Sequence, residues 1–132
     1  KFVPDRLIHF KTTIRDLIKH KNEKICCIIL GDQRPTKNEI EHWGNFLGQD
    51  TPIYLGGEKL ARMFDYAVVY MDIQRKRRGY YTVNFKIIAE DVKVLPELQV
   101  TNRYLELLEE SINNNPDNWL WSHNRWKYNR YE

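Results

Sequence analysis

The pattern of hydrophobic and polar positions predicts helices that alternate with strands. Apolar residues on one face of residues 5–22 predict an amphipathic helix, which Asp5 can cap. The run KICCIILG, residues 24–31, holds six consecutive apolar residues and predicts a strand covered on both faces, as in a parallel sheet. Cys26 and Cys27 are therefore expected in the core, and a helix followed by a buried strand favours the α/β class.

The middle of the chain predicts one loop, one helix and a hairpin. Residues 36–57 are rich in turn residues and predict mainly loop, with a short strand near 52–55. GGEKLARMF, residues 56–64, predicts a short helix. YAVVYMDIQR and YYTVNFKII predict two strands, and the intervening KRRG predicts an antiparallel hairpin. In the second strand apolar residues alternate with polar ones, so that one face is expected to meet solvent.

The C-terminal third predicts a further helix and an aromatic tail. Thr101 can cap a helix that ends before Pro116. The apolar positions expected to face inward are Tyr104, Leu107, Leu108 and Ile112. Residues 1–132 are predicted to form a single domain with a mixed, mainly parallel sheet flanked by helices, together with an antiparallel hairpin.

Composition and charge exclude several classes of function. A net charge of only +3, from 21 basic and 18 acidic residues, argues against polyanion binding by bulk charge, so any such role is local. No apolar stretch approaches the roughly 18 residues of a membrane-spanning helix. The four histidines lack metal-ligand spacing, and the adjacent cysteines are not a CxxC pair, so no metal is expected.

The residues that follow the predicted buried strand are candidates for a binding loop. Ligands bind outside the carboxyl ends of strands in open α/β sheets. Gly31 allows the chain to turn, Asp32, Gln33 and Arg34 are then presented at the sheet edge, and Pro35 stiffens the exit. The alternative is a surface turn in which Asp32 only accepts hydrogen bonds from backbone amides.

A glycine pair opens the short helix predicted at 56–64. Unpaired amides at a helix start can bind an anion, so Gly57, Lys59 and Arg62 form a second candidate site for phosphate or carboxylate. The alternative is a tight turn before an ordinary helix whose cations are solvated. The spacing does not match a Walker loop.

Two further stretches combine basic residues with turns or aromatic residues. Arg75, Lys76, Arg77 and Arg78 lie at the predicted hairpin tip, where they form either a solvated turn or a contact with an anionic bilayer. In the tail, indoles interleaved with basic residues suit a lipid interface or base stacking, while a tail that wraps the core is the alternative. The tail residues concerned are Trp121, His123, Arg125 and Trp126.

Taken in order, four segments resemble the C-terminal half of the lipid A biosynthesis late acyltransferases, of the lauroyl or myristoyl type in the lysophospholipid acyltransferase superfamily. They are GDQRP, FLGQDTPIYLGGEKLAR, VVYMDIQRKRRGYY and WLWSHNRWK. The resemblance spans nearly all of residues 5–130 and implies a partial acyltransferase fold. It implies transfer of a fatty acyl chain from an acyl carrier protein or CoA thioester to a hydroxyl of a lipid A precursor.

The same resemblance implies the location and the partners. The full-length enzyme is expected at the cytoplasmic face of the bacterial inner membrane, in contact with an anionic membrane surface. The acyl thioester is a co-substrate and no other cofactor is implied. The resemblance assigns Asp32 and Gln33 to the acceptor or active-site loop and Arg34 to a phosphate contact. Lys59 stands where the family more often has Arg, and the tail motif is assigned to structure rather than catalysis.

The family's catalytic signature, H-x-x-x-x-D/E, does not occur in this sequence. The residues five positions after His9, His20, His42 and His123 are Ile14, Ile25, Leu47 and Tyr128. In that signature the histidine is the general base for the acceptor hydroxyl. We therefore expect residues 1–132 to be a C-terminal fragment, soluble by itself, that holds part of the substrate pocket, contains no catalytic residue and does not turn over alone.

A different class of function is a stand-alone module without catalysis. Such a module would use the basic hairpin and the aromatic tail to bind anionic lipid. RNA is the weaker partner, because the net charge is small and the aromatic residues lie in a tail rather than along a sheet, so nucleic acid is not expected to bind.

Overall fold

The structure is a computed structural model that describes residues 8–9 and 12–131. Its helices are α1 (Thr13–Lys19), α2 (Gly56–Phe64) and α3 (Gln99–Asn114), and short 3₁₀ helices span Lys37–Glu39 and Pro116–Asn118. Its strands are β1 (His42–Phe46), β2 (Gln49–Ile53), β3 (Val68–Arg77) and β4 (Tyr80–Ala89).

The strands form two separate antiparallel pairs. β1 pairs with β2, from His42 opposite Ile53 to Phe46 opposite Gln49. β3 pairs with β4, and Met71 lies opposite Phe85 near the middle of that hairpin. The predicted mixed, mainly parallel sheet is wrong, because the part of the chain that the structure describes contains two antiparallel two-stranded sheets and no parallel pairing.

The apolar run 25–30 is the main reason for this difference. It has no regular secondary structure, and Cys26 and Cys27 are exposed. Ile28 is 69% exposed and Leu30 is 76% exposed. A strand of this composition needs neighbours on both sides and layers on both faces, which the described residues do not supply. The predictions of a buried strand and of two core cysteines are therefore wrong.

The β1–β2 hairpin was missed in part, since the sequence predicted only a short strand near 52–55. The two strands are joined by Leu47 and Gly48, whose φ angles are 52° and 74°. A two-residue turn with both residues at positive φ matches the twist of an antiparallel hairpin. Glycine adopts this conformation without a steric cost. The polar sequence HWGNF of β1 has no strict apolar alternation, so it carried little strand signal.

The hairpin β3–β4 and helix α2 confirm the predictions for those segments, and the turn of the hairpin lies at Arg78 and Gly79. α3 begins two residues before the predicted cap Thr101 and ends before Pro116, as predicted. The helix predicted from Asp5 is observed over Thr13–Lys19, and Asp5 itself lies outside the described residues.

Two apolar clusters hold these elements together. The first packs the β1–β2 hairpin against one side of α3 and is formed by Phe46, Ile53, Leu105, Leu108 and Ile112. Trp119 and Trp126 of the tail pack against this cluster. The second lies between α2, the end of β4 and the start of α3 and is formed by Ala61, Ala89, Val92 and Val100. The tail therefore wraps part of the core with its tryptophans.

Candidate functional site

The GDQRP segment, residues 31–35, lies between α3 and the tail. A Cβ atom built on Gly31 would lie 3.2 Å from the hydroxyl of Tyr104, so glycine allows a close approach to that ring. Pro35 is buried, while Gln33 is exposed. The segment does not follow a strand, so the argument that placed it at the carboxyl end of a sheet does not hold. Its position is set by the tail instead.

Arg34 makes the contacts that join this segment to the tail. Its backbone amide donates to Nε2 of His123 at 3.3 Å, and its Nη1 donates to the carbonyl of Asn124 at 2.9 Å. Its guanidinium carbon lies 5.8 Å from the ring centroid of Tyr128. Because Nε2 of His123 accepts a hydrogen bond, that nitrogen is occupied and His123 is a poor candidate for a general base.

Arg125 is the buried cation of this region. It is 2% exposed, and its Nη1 donates to the carbonyl of Pro52 at 2.9 Å. Its guanidinium carbon lies 5.8 Å from the ring centroid of Phe46. Its Nε is buried and has no hydrogen-bond partner among the described residues. Burial lowers the pKa of Arg125, although an arginine keeps its charge at neutral pH.

Asp32 lies close enough to act electrostatically on the buried Arg125 and Tyr70 and on the partly buried Tyr104. Its negative charge raises the pKa of Arg125 against the effect of burial. Burial raises the pKa of Tyr104, and Asp32 raises it further. The pKa of Tyr70 is also raised, mainly by burial. The rings of Tyr70 and Tyr104 meet edge to face with centroids 5.8 Å apart. Both phenols therefore stay protonated at neutral pH and keep an O–H donor.

We define the GDQRP cluster as Asp32, Gln33, Arg34, Tyr104, His123 and Arg125. It combines one carboxylate, one amide, two guanidinium groups, one phenol and one imidazole. None of the described carboxylates forms an ion pair with either arginine. These groups suit an anionic or hydroxyl-bearing ligand. The cluster contains no histidine paired with a carboxylate, so it offers recognition rather than acid–base chemistry.

The second predicted site, at the start of α2, is arranged differently. Lys59 pairs with Glu41 at the surface. Arg62 donates to the carbonyls of Val92, Leu95 and Pro96 at 2.6–3.1 Å, which anchors the loop before α3. A Cβ on Gly57 would meet open space, so no close approach requires glycine there. Arg62 therefore has its donors engaged within the fold.

Glu58 was missed by the sequence analysis, although it is the most buried carboxylate described. Its oxygens accept from Arg62, from the amides of Leu98 and Thr101, and from the Thr101 hydroxyl at 2.6 Å. Burial raises the pKa of Glu58, but the hydrogen bonds from Thr101, Arg62 and Leu98 outweigh it, and the pKa is lowered. Glu58 thus caps α3 from another helix, which no local sequence signal reports.

The basic hairpin tip is exposed, as expected for a turn. Arg75 pairs with Asp117 at 2.9 Å, and the guanidinium carbon of Arg77 lies 3.9 Å from the ring centroid of Tyr80. Lys76 and Arg78 form no ion pair with any described carboxylate. The tip lies on a different element from the GDQRP cluster.

The tail residues divide into buried and exposed ones. Trp126 donates through Nε1 to Oγ1 of Thr51 at 2.8 Å, and Thr51 is fully buried. Trp121 is exposed and donates to the carbonyl of Pro116. The GDQRP segment and the second half of the tail motif thus meet in space, whereas Trp121 faces solvent.

Two depressions lie on the surface of the described residues. One, of about 230 Å³, lies between the β3–β4 hairpin and α3, and the other, of about 310 Å³, lies between the β1–β2 turn and the tail. Asp32 and Arg34 line neither of them. Within residues 8–9 and 12–131, no group of three His, Cys, Asp or Glu side chains is arranged to hold a metal ion. No helix in the same residues is long and apolar enough to cross a membrane.

The described residues form a mixed α/β fold with two antiparallel two-stranded sheets. A family model described as bacterial lipid A biosynthesis acyltransferase matches residues 4–128. The chain belongs to the bacterial lipid A biosynthesis acyltransferase family. No curated protein and no solved structure shows significant similarity to it.

Proposed function

We propose that the protein takes part in transferring a fatty acyl chain from a thioester, carried by acyl carrier protein or CoA, to a hydroxyl of a lipid A precursor. Family membership supports acyl transfer with an acyl donor and a lipid A precursor as substrates. The observation that carries the assignment of a site is the convergence of Arg34 and Arg125, distant in sequence, beside Asp32.

In this proposal the GDQRP cluster binds the polar part of the acceptor. Arg34 supplies guanidinium donors for a phosphate oxygen, since charge-assisted hydrogen bonds to phosphate are strong, and the buried Arg125 adds positive charge to the site. Asp32 accepts a hydrogen bond from an acceptor hydroxyl, and the exposed Gln33 adds an amide. Gly57 and Lys59 are secondary candidates, because a ligand there has to displace Glu41 from Lys59.

The chemistry requires a base that the described cluster does not contain. A base removes the proton of the acceptor hydroxyl, the oxygen attacks the thioester carbonyl, a C–O bond forms and the C–S bond breaks, and the thiolate takes up a proton. No histidine of this sequence is followed five positions later by a carboxylate. We therefore propose that the base lies outside residues 1–132 and that these residues do not catalyse alone.

In this proposal the reaction takes place at the cytoplasmic face of the bacterial inner membrane. A lipid acceptor and a carrier-bound acyl donor meet where the membrane borders the compartment that holds the carrier. The anionic membrane surface is then a partner of the protein as well as the source of its acceptor.

The test measures the acyl transfer kinetics of the protein expressed from its complete reading frame. Arg34→Ala and Asp32→Asn are expected to lower kcat/KM for the lipid acceptor at least tenfold, because each removes a contact to its polar group. Lys37→Ala is the control, since Lys37 is exposed in the next turn of the chain. If Arg34→Ala and Asp32→Asn fold and their kinetics are unchanged, the GDQRP segment is an ordinary surface turn without a role in binding the acceptor.

A further inference from the structure

The phenol of Tyr104 is a group of the GDQRP cluster to which the proposed function gives no role. Tyr104 lies on α3, and its ring packs, partly buried, against the first apolar cluster. Among the residues that the structure describes, none forms a hydrogen bond with its hydroxyl. Because the O–H of a tyrosine that is largely withdrawn from water usually has a partner, this hydroxyl is available to a ligand.

Two neighbours hold the Tyr104 ring in place. The ring of Tyr70 meets it edge to face, with centroids 5.8 Å apart. A Cβ atom at Gly31 would lie 3.2 Å from the hydroxyl oxygen of Tyr104 and 3.3 Å from its Cε1 and Cζ, closer than an ordinary van der Waals contact. Glycine therefore lets the backbone of the GDQRP segment lie directly against the phenol. A group fixed in this way loses little conformational freedom when it binds a ligand.

The carboxylate of Asp32, the next residue along the chain, lies near the same phenol. Burial raises the pKa of Tyr104, Asp32 raises it further, and Arg125 lowers it. The phenol therefore stays a hydrogen-bond donor at neutral pH, while a carboxylate only accepts. Neither side chain forms a hydrogen bond within the described part of the chain. One donor and one acceptor thus lie close together, and both are available to a ligand.

A hydroxyl is the ligand group that matches this pair. It donates one hydrogen bond and accepts others, so it can donate to Asp32 and accept from Tyr104 at the same time. A phosphate oxygen can accept from the phenol, but the carboxylate repels its negative charge. A protonated amine can donate to Asp32, but it has no lone pair to accept from the phenol.

We propose that Tyr104 is a specificity-determining residue of the acceptor site and that, together with Asp32, it binds one hydroxyl of the lipid A precursor that is not itself acylated. The inference rests on the proposed function for the identity of the acceptor. The hydroxyl that reacts has to lie against a base, and the GDQRP cluster contains none, so the hydroxyl bound here is a different one. Arg34 then binds the phosphate, and the cluster recognises two different groups of one acceptor.

The test measures equilibrium binding of a lipid A precursor in nonionic detergent micelles, by isothermal titration calorimetry, to the protein expressed from its complete reading frame. Tyr104→Phe removes only the hydroxyl and is expected to weaken binding about tenfold, the effect of one hydrogen bond.

Precursor analogues that each lack one hydroxyl complete the cycle. One of them is expected to bind the wild type about tenfold or more weakly than the parent compound, because a site built to bind a hydroxyl is left with unpaired polar groups. The same analogue is expected to bind Tyr104→Phe and the wild type equally, within about twofold, since the contact is already absent.

Tyr70→Phe is the matched control, because it makes the same change in the ring that touches Tyr104. The Tyr70 hydroxyl interacts with Ser111, so we expect its loss to lower the stability in urea denaturation and to leave precursor binding within about twofold of the wild type. Tyr104→Phe is expected to show the reverse, with weaker binding and little change in stability. A purely structural role of Tyr104 would lower its stability without the selective effect on the analogues.

The results separate this inference from the proposed function. If folded Tyr104→Phe binds the precursor as the wild type does, or binds every analogue about tenfold more weakly than the wild type, the role of Tyr104 is overturned while acyl transfer stands. If the wild type binds the precursor through Tyr104 but transfers no acyl chain to it, the proposed function fails and this inference stands. Absence of precursor binding by the folded wild type would overturn both.

Discussion

At the scale of single residues, the carboxylate of Glu58 determines how α3 begins. α3 starts after Leu98, which has a φ angle of 67°, and its own residues provide no side-chain cap. Glu58 on α2 supplies the carboxylate that accepts from the amides at the start of α3, and it pairs with Arg62. Arg62 in turn donates to three backbone carbonyls of the loop before α3. A carboxylate at a helix N-terminus also interacts favourably with the helix dipole. The pair is therefore a structural unit that joins two helices.

We expect Glu58→Gln to lower the free energy of unfolding by about 2–3 kcal/mol, because the amide keeps the shape but loses the charge that Arg62 and the α3 amides bind. Urea denaturation at pH 7 measures the change. The matched control is Glu97→Gln, an exposed glutamate in the loop before α3, which we expect to change the stability by less than about 0.5 kcal/mol. An equal effect of both substitutions would contradict the role given to Glu58.

The effect of Glu58→Gln also has a defined dependence on pH. The pKa of Glu58 in the folded protein is lowered from its ordinary value of 4.5. Its stabilising contribution is therefore fully present above about pH 4.5 and is lost as the pH falls through the lowered pKa. The difference in stability between wild type and Glu58→Gln is expected to be constant near neutrality and to shrink below that pH. A difference that grows in acid would contradict the sign.

At the scale of elements, the tail belongs to the core that the β1–β2 hairpin and α3 form. Trp119 and Phe46 meet with ring centroids 6.0 Å apart, and Arg125 reaches the carbonyl of Pro52. The hydrogen bond between Trp126 and Thr51 lies beside these contacts. The tail therefore contributes packing and polar contacts to the same hairpin edge, in agreement with a structural role.

A double-mutant cycle measures the contact between tail and hairpin. Trp126→Phe removes the indole donor, and Thr51→Val removes the acceptor while keeping the shape of the side chain. We expect the two losses of unfolding free energy to be non-additive by about 1 kcal/mol, the usual net value of one buried hydrogen bond. The control pair is Trp121→Phe with Thr51→Val, since Trp121 donates to Pro116 instead. Additive losses for Trp126 would show that the bond contributes nothing.

At the scale of the whole molecule, the most consequential feature is that its most hydrophobic segment is not covered. Residues 24–30 have no regular secondary structure and no partner strand among the described residues, and Ile28 and Leu30 are largely exposed. The hairpin β3–β4 has an exposed apolar face as well. Both features show that apolar surface in the described part of the chain exceeds what its two small clusters bury.

The two cysteines report on this arrangement directly. If residues 24–30 lie as described, Cys26 and Cys27 of the 132-residue chain react with a thiol reagent such as dithionitrobenzoate without denaturant, because both are exposed. In the buried strand that the sequence predicts, both would be protected until the chain unfolds. The release of two equivalents of chromophore in native buffer, compared with the total in guanidinium chloride, checks the expectation. Protection of both thiols would contradict the observed fold.

Local sequence patterns were sufficient to predict the features that depend on neighbours along the chain. The hairpin β3–β4, helix α2 and the end of α3 follow from alternation, helical periodicity, a glycine turn and Pro116, all of which act locally. The ordered motifs GDQRP through WLWSHNRWK were enough to indicate the family. The residues of the GDQRP segment could be named as candidates from the sequence. Nothing in the sequence indicates that they lie beside the tail.

Contacts between elements distant in sequence determine which faces are covered and which polar groups are paired. Alternation in β4 predicts two unlike faces. The contacts of Asp72 with Ser111 and of Lys86 with Glu110 hold the polar face against α3, so the apolar face points outward. Six apolar residues predict a buried strand only if partner strands exist, and none pairs with 24–30 among the described residues. The partners of Glu58 and Arg125 lie on other elements. Burial and pairing depend on residues that are distant in sequence. A local sequence pattern therefore cannot predict which residues are buried or paired.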